Sequence, residues 1–181
     1  MHEPTLFTIG HSARPLADFL DLLHEAGVEQ LVDVRSVPRS RHNPQFEGEA
    51  LAQSLPSAGV ASRHAPGLGR FRRARRDSPN TGWEHASSRG YADYMATAEF
   101  GTALEQLQRD GCERPTCVMC AEAQWWRCHR RLIADAIVVA DGEWRISASS
   151  PHPSASTTHG RGRAATRTLV PSASNRPSTE K

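Results

Sequence analysis

The sequence predicts an α/β domain, a mostly parallel sheet of four to five strands with flanking helices in an open three-layer arrangement. Three features lead there. Short apolar runs stop abruptly in polar loops, and an amphipathic helical segment separates the first two of them. A dense group of reactive side chains then sits at a later strand-to-helix junction, CVMCAEAQWWRCHRRLIADAI at 117–137. A helix between two strands of one sheet implies a right-handed parallel crossover. Ligands of such sheets bind beyond the carboxyl ends of the strands, where the polar residues emerge. A partial barrel is the alternative architecture, since four or five strands permit either.

Residues 5–9 (TLFTI) form an apolar run ended by Gly10, His11 and Ser12, which reads as a buried strand and its loop. Over 15–26, Leu16, Phe19, Leu20, Leu22 and Leu23 share one helical face, Pro15 suits a first helical position and Gly27 a stop. Residues 28–35 (VEQLVDVR) form the second strand, and Arg35, Arg39 and Arg41 gather in the loop beyond it. A second helix spans 46–58, and Pro56 is expected to end or kink it near Leu55. The third strand, at 60–64, has little apolar material beyond Val60 and Ala61.

Residues 66–76 (PGLGRFRRARR) make a glycine-punctuated loop with five arginines. It reads either as a solvated, mobile loop or as a flap closing over a phosphate-bearing ligand. Turn chemistry fills 77–89, an ordered loop packed by Trp83. Residues 91–110 are helical with a break near Thr97, and Phe100, Leu104 and Leu107 fall at i, i+4 and i+7. The fourth strand, 115–119, delivers Cys120, Ala121 and Glu122 at its carboxyl end. A helix at 127–139 returns across the sheet, and 144–147 is a short fifth strand. The domain thus spans 1–147, and the Ser-, Thr- and Pro-rich segment 148–181, without periodicity, reads as a disordered tail.

A formal net charge of +2 excludes a polycation that coats nucleic acid by bulk charge. The kind of cation is more informative. Apart from Lys181 every basic side chain is arginine, whose planar fork grips phosphate and carboxylate bidentately. Residues 1–9 show no signal-peptide pattern and no run is long and apolar enough to span a bilayer, so a cytoplasmic protein with no membrane partner is expected. In that compartment Cys112, Cys117, Cys120 and Cys128 are expected to be free thiols, metal ligands or catalysts rather than disulfides.

Cys117 and Cys120 have C-x-x-C spacing, but residues three apart on a strand point to opposite faces, which argues against a chelating pair. Cys117 therefore reads as a small buried hydrophobe and Cys112 as an inert loop thiol. Cys120 and Cys128 are better partners, because the loop joining them can bring both near Glu122 and His129. Cys128 would lie in the first turn of the last helix, where unpaired N–H groups and the neighbouring Arg127, Arg130 and Arg131 favour a thiolate. His129 reads as a core histidine, a metal ligand, a general base or the thiolate's partner. Glu122 reads as a general acid or base, or as a salt-bridge partner of Arg127 or Arg130. Trp125 and Trp126 could wall a pocket and stack on a planar ligand, or cover the core edge.

The candidate catalytic residues are thus Cys120, Glu122, Cys128 and His129. The candidate anion-binding residues are His11, Ser12, Arg35, Arg39, Arg41, Trp126, Arg127 and Arg130. In the alternative, Cys120, Cys128 and His129 ligate a transition metal, iron or zinc. Against it, neighbouring residues on a helix diverge by about 100°, so Cys128 and His129 would not both aim ideally at one ion.

The motifs TIGHS at 8–12, VDVRSVPRSRHNPQF at 32–46, PNTGW at 79–83, RGYADYM at 89–95, MCAE at 119–122 and WRCHR at 126–130 together resemble the domain of unknown function 488 family of bacteria and archaea. The resemblance covers 8–139. It implies a compact α/β domain whose motif residues gather at one site, and it carries no biochemical function. Three functions follow from the residues themselves. The first is an enzyme, a hydrolase or transferase, acting on a phosphorylated or nucleotide-like anionic small molecule at the strand carboxyl ends. The second is a Cys/His transition-metal-binding protein, and the third a nucleic-acid-binding module using the arginines of 70–76 and the basic tail.

Overall fold

The computed structural model describes residues 5–141 and 145–148. Among the described residues five strands, β1 (Thr5–Gly10), β2 (Gln30–Asp33), β3 (Ala61–His64), β4 (Thr116–Cys120) and β5 (Arg145–Ala148), are joined by five α-helices, one in each connection except the two between β3 and β4. The helices are α1 (Leu16–Glu25), α2 (Gly48–Ser57), α3 (Ala86–Met95), α4 (Ala98–Glu113) and α5 (Arg130–Asp141). The strands lie in the order β3-β2-β4-β1-β5 and every pairing is parallel. The sheet is open, with β3 and β5 at its edges, so the barrel alternative does not hold.

Strand alternation divides the core between two layers. On one face Phe19 and Leu23 of α1 and Leu51 and Leu55 of α2 pack on Ile9, Leu31, Cys117 and Met119. On the other, Tyr91, Phe100, Leu104, Leu107, Ile133 and Ile137 of α3, α4 and α5 pack on Leu6, Val32, Val118 and Cys120. The period of two thus sends Cys117 and Cys120 into opposite layers. β1 and β4 are neighbours, yet the helix that follows β1 covers one face and the helix that follows β4 covers the other. A crevice opens where adjacent strands hand their helices to opposite sides, here at the carboxyl ends of β1 and β4.

Several boundaries differ from the sequence expectations, each for a local reason. Pro56 does not end α2 at Leu55 but lies inside its last turn. There a proline removes one hydrogen bond with no further turn to distort, and Gly59, at φ 74°, makes the exit. β3 is polar because it is an edge strand with exposed side chains, tied to α4 by the Arg63–Asp110 ion pair. The expected break near Thr97 separates two helices, and Thr97 caps the second by accepting the Phe100 N–H at 3.3 Å. α3 begins at Ala86, so the expected loop 77–89 ends inside a helix. Cys112 is exposed in the last turn of α4 rather than in a loop.

One correction bears on chemistry. α5 begins at Arg130, so Cys128 and His129 precede it instead of opening it. A 3-10 turn at Trp125–Arg127 comes first and leaves Cys128 extended, at φ −109° and ψ 151°. Beyond Ala148, the expected tail lies outside the described residues.

Candidate active site

Gly10, the last residue of β1, admits the loop that follows β4. A Cβ there would lie 1.9 Å from the Glu122 carbonyl oxygen, so only glycine lets that loop cross over β1. Pairing then continues past the strand ends, with His11 N–H donating to the Cys120 carbonyl at 2.9 Å and Ser12 N–H to that of Ala121 at 3.2 Å. Ser12 is held in the left-handed region, at φ 51°, a strained position for a residue with a Cβ. From the far side Arg130 Nη2 donates to the Glu122 carbonyl at 2.5 Å. The loop is thereby fixed at both ends.

Fixing the loop brings Cys120 and Cys128 together, their Sγ atoms 2.9 Å apart. Glu122 N–H donates to Cys120 Sγ at 3.3 Å. Cys128 Sγ lies 3.4 Å from His129 Nδ1, while His129 Nε2 faces the Val34 carbonyl at 3.3 Å. A carbonyl only accepts, so Nε2 carries a proton, and Nδ1 is the nitrogen that takes the Cys128 proton and returns it to the sulfur as a hydrogen bond. The ring is held further by Tyr91, edge-on with centroids 5.4 Å apart.

Arg130 lies behind these groups, 1% exposed. It has no carboxylate partner among the described residues, and its Nε has no hydrogen-bond partner. A buried cation without an acid favours an anion nearby. The hydrogen bond from Cys120 pushes the Cys128 thiol well down, and His129 and Arg130 add to it against the cost of burial. The same bond, with burial, pushes Cys120 up. The pair therefore shares one proton, with Cys120 as the thiol that donates and Cys128 as the thiolate. Cys117, by contrast, is pushed up to about 12 by burial and is inert.

The extended backbone at Cys128 also removes the geometric objection to a metal. The ligand atoms of Cys120, Cys128 and His129 lie within 4.8 Å of one another, a cluster that could hold a metal ion. The divergence of about 100° between neighbours holds only on a helix, and neither Cys128 nor His129 is on one.

Cys128 and His129 line a cleft together with Arg70, Trp83, Arg127 and Arg131. Neither Arg70 nor Arg127 has a carboxylate partner among the described residues, and Arg131 has only a 3.8 Å contact with the half-buried Asp135. Of the three, the sequence reading selected Arg127 alone. Arg70 and Arg131 were visible as members of arginine-rich stretches, but nothing local distinguishes the arginine that turns to the cleft from its neighbours. In the sequence Trp83 reads as loop packing, and its place at the cleft depends on where α3 sets the loop before it.

The anion-binding candidates of the first loops lie elsewhere. Arg35 grips Asp33 at 2.6 to 3.0 Å, donates to the Phe46 carbonyl at 2.9 Å and points Nη1 at His11 Nε2, 3.4 Å away. His11 in turn donates from Nδ1 to the Ser12 carbonyl at 2.8 Å and stacks on Phe46 with centroids 4.4 Å apart. Burial, opposed by that hydrogen bond and reinforced by Arg35, pushes the His11 pKa below its ordinary value. These two side chains are committed to the protein itself. Ser12 is half-buried, and Arg39 and Arg41 are exposed on the loop after β2. The Glu122 side chain is exposed and accepts the Gln124 N–H at 3.2 Å, so this residue meets the thiols through its main chain. The side chain of Trp126 lies outside the described part of the structure.

No helix among the described residues is long and apolar enough to cross a membrane. No curated protein and no solved structure matches the chain. The family described as domain of unknown function DUF488 matches residues 15–137. That segment runs from the start of α1 nearly to the end of α5, and it includes Cys120, Cys128, His129 and the three cleft arginines. With well over half its length matched, the chain belongs to the DUF488 family.

Proposed function

We propose that the protein is an enzyme acting on a phosphorylated or nucleotide-like small molecule, with Cys128 as its nucleophile. One observation carries this reading: a cysteine beside a histidine shares a cleft with guanidinium groups from two segments of the chain, Arg70 of the loop after β3 and Arg127 and Arg131 on either side of Cys128 and His129. Converging guanidinium groups bind an anionic group and offset its repulsion of a thiolate. Trp83 offers a flat face for a planar moiety.

In the mechanism this supports, Cys128 yields its proton to His129 Nδ1, and Cys120 holds the resulting thiolate by hydrogen bonding. The sulfur attacks the electrophilic centre beside the bound anion, and the leaving group departs with the proton from His129. Water or a second substrate then releases the sulfur-linked intermediate, which makes the enzyme a hydrolase or a transferase. Glu122 serves through its main-chain N–H to Cys120 and its carbonyl to Arg130. Screening nucleotides and sugar phosphates for turnover tests this. Cys128→Ser should abolish activity, and Arg127→Ala with Arg131→Ala should raise KM by roughly tenfold or more. Full turnover by Cys128→Ser would end the thiol mechanism, and an unchanged KM in the arginine variant would end the anion site.

A second reading rests on the ligand cluster. Two sulfurs and an imidazole suit zinc or iron, and anchoring His129 Nε2 on the Val34 carbonyl is the outer support that metal-binding histidines use. A bound metal would supply Lewis acidity at the same cleft. Elemental analysis of protein purified without oxygen or a metal-affinity tag decides between the two. Near-stoichiometric metal that disappears in Cys128→Ser establishes the metal centre, and metal-free protein leaves the thiolate as the reacting group.

A further inference from the structure

Five arginines in seven residues make the loop after β3 look solvated and mobile, yet it is fastened along its length. Tyr94 Oη donates to the Gly67 carbonyl at 2.8 Å and Tyr91 Oη to that of Leu68 at 3.0 Å. Phe71 N–H donates to Ser36 Oγ at 3.3 Å, and the Arg72 guanidinium lies 3.9 Å from the centre of the Tyr94 ring. Asp93 accepts from Arg75 N–H, Ser78 Oγ and Asn80 Nδ2 at 2.6 to 2.8 Å. Gly90 is pressed so closely on the backbone of 72–74 that a Cβ would come within 2.5 Å of it.

What the fastened loop presents is unusual. Phe71 is 79% exposed, although a loop free to move would gain by burying it. Arg72 and Arg75 are engaged by Tyr94 and Asp77, whereas Arg73 and Arg76 are exposed with no carboxylate partner among the described residues. Arg70, at the start of the same stretch, lines the cleft. The backbone thus holds one bare aromatic ring among unpaired guanidinium groups, next to the candidate active site.

We propose that this loop binds single-stranded nucleic acid, with Phe71 stacking on a base and Arg73 and Arg76 on flanking phosphates. An aromatic platform beside guanidinium groups is how unpaired strands are held without regard to sequence. A duplex hides the base faces that Phe71 would stack on, and an acidic peptide satisfies the arginines but gives the ring no planar partner. The net charge of +2 is no obstacle, because the positive charge is local to the loop. Through Arg70 a bound strand leads its terminal nucleotide to the cleft, and this last step alone rests on the proposed function. The nucleotide-like substrate is then the end of a strand.

Fluorescence anisotropy of the full chain with labelled short single-stranded RNA and DNA tests the proposal. Binding should weaken steeply with salt, and Phe71→Ala should lower affinity by roughly tenfold or more while Phe71→Trp retains it. Arg73→Ala with Arg76→Ala should reduce the slope of log affinity against log salt by about 1.4, the value for two single-strand phosphates. All three residues are exposed, so the variants should fold, which circular dichroism verifies. Saturable binding that is absent, unchanged in Phe71→Ala, or displaced equally well by duplex or polyglutamate overturns the proposal. Anisotropy reads strand binding and turnover of free nucleotides reads the thiol mechanism, so loss of one is told apart from loss of the other.

Discussion

Cys117 and Cys128 are both buried, yet the structure sends their acidities in opposite directions. Cys117 meets mainly apolar surroundings and is pushed up, whereas Cys128 receives a hydrogen bond from Cys120 and faces His129 and Arg130. Iodoacetamide labelling read by mass spectrometry should therefore find Cys128 reacting at a nearly constant rate from neutral to mildly acidic pH, with Cys117 silent until the protein unfolds. A Cys128 rate that follows an ordinary thiol titration would contradict the thiolate. His11 gives a stability signature of its own. Burial lowers its pKa below the ordinary 6.5, so under mildly acidic conditions the unfolded chain binds a proton that the folded one resists. The stabilisation is complete above 6.5 and declines as pH falls toward the lowered value. Urea midpoints measured at both ends of that window should drop less for His11→Gln than for the wild type. At this scale the residue types were legible in the sequence, and their protonation was not, because it depends on neighbours up to 95 positions away, as His129 on Val34 shows.

Among elements, the site depends on loops seated by close backbone approach. Gly10→Ala would force the Glu122 loop off β1, and we expect it to cost about 1–3 kcal/mol in chemical denaturation, as overpacking does. The same variant should return Cys128 to ordinary thiol reactivity, since the loop carries Cys120; retained low-pH labelling would show that the loop is not what sets the pair. The amphipathic pattern of α1 and the i, i+4, i+7 spacing in α4 were readable because they depend on sequence period alone. Phe19, Leu23, Phe100, Leu104 and Leu107 are all buried. The start of α5 was not readable. Arginines, cysteine and histidine at 127–131 carry no decisive cap, and the 3-10 turn before the helix moves Cys128 and His129 out of it. That shift of a few residues converts two diverging helical side chains into a convergent pair.

For the whole molecule, a metal in the Cys120, Cys128 and His129 cluster would tie the end of β4 to the entry of α5. Adding zinc under reducing conditions should then raise the Tm of the wild type and leave that of Cys128→Ser unmoved, since a ligand of the native state stabilises by mass action. An equal response in both variants would place the zinc elsewhere. The sequence by itself determined the α/β class, the alternation that parts Cys117 from Cys120, and the concentration of arginine, thiol and imidazole at strand carboxyl ends. These follow from local period and from the handedness of parallel crossovers, which every sheet of this kind obeys. Only the tertiary structure decided that Arg35 is bound up with Asp33 while Arg70, Arg127 and Arg131 face the cleft. Free and committed guanidinium groups look alike in sequence. What separates them is whether packing brings a carboxylate within hydrogen-bonding reach, and that is settled by strand order and loop seating.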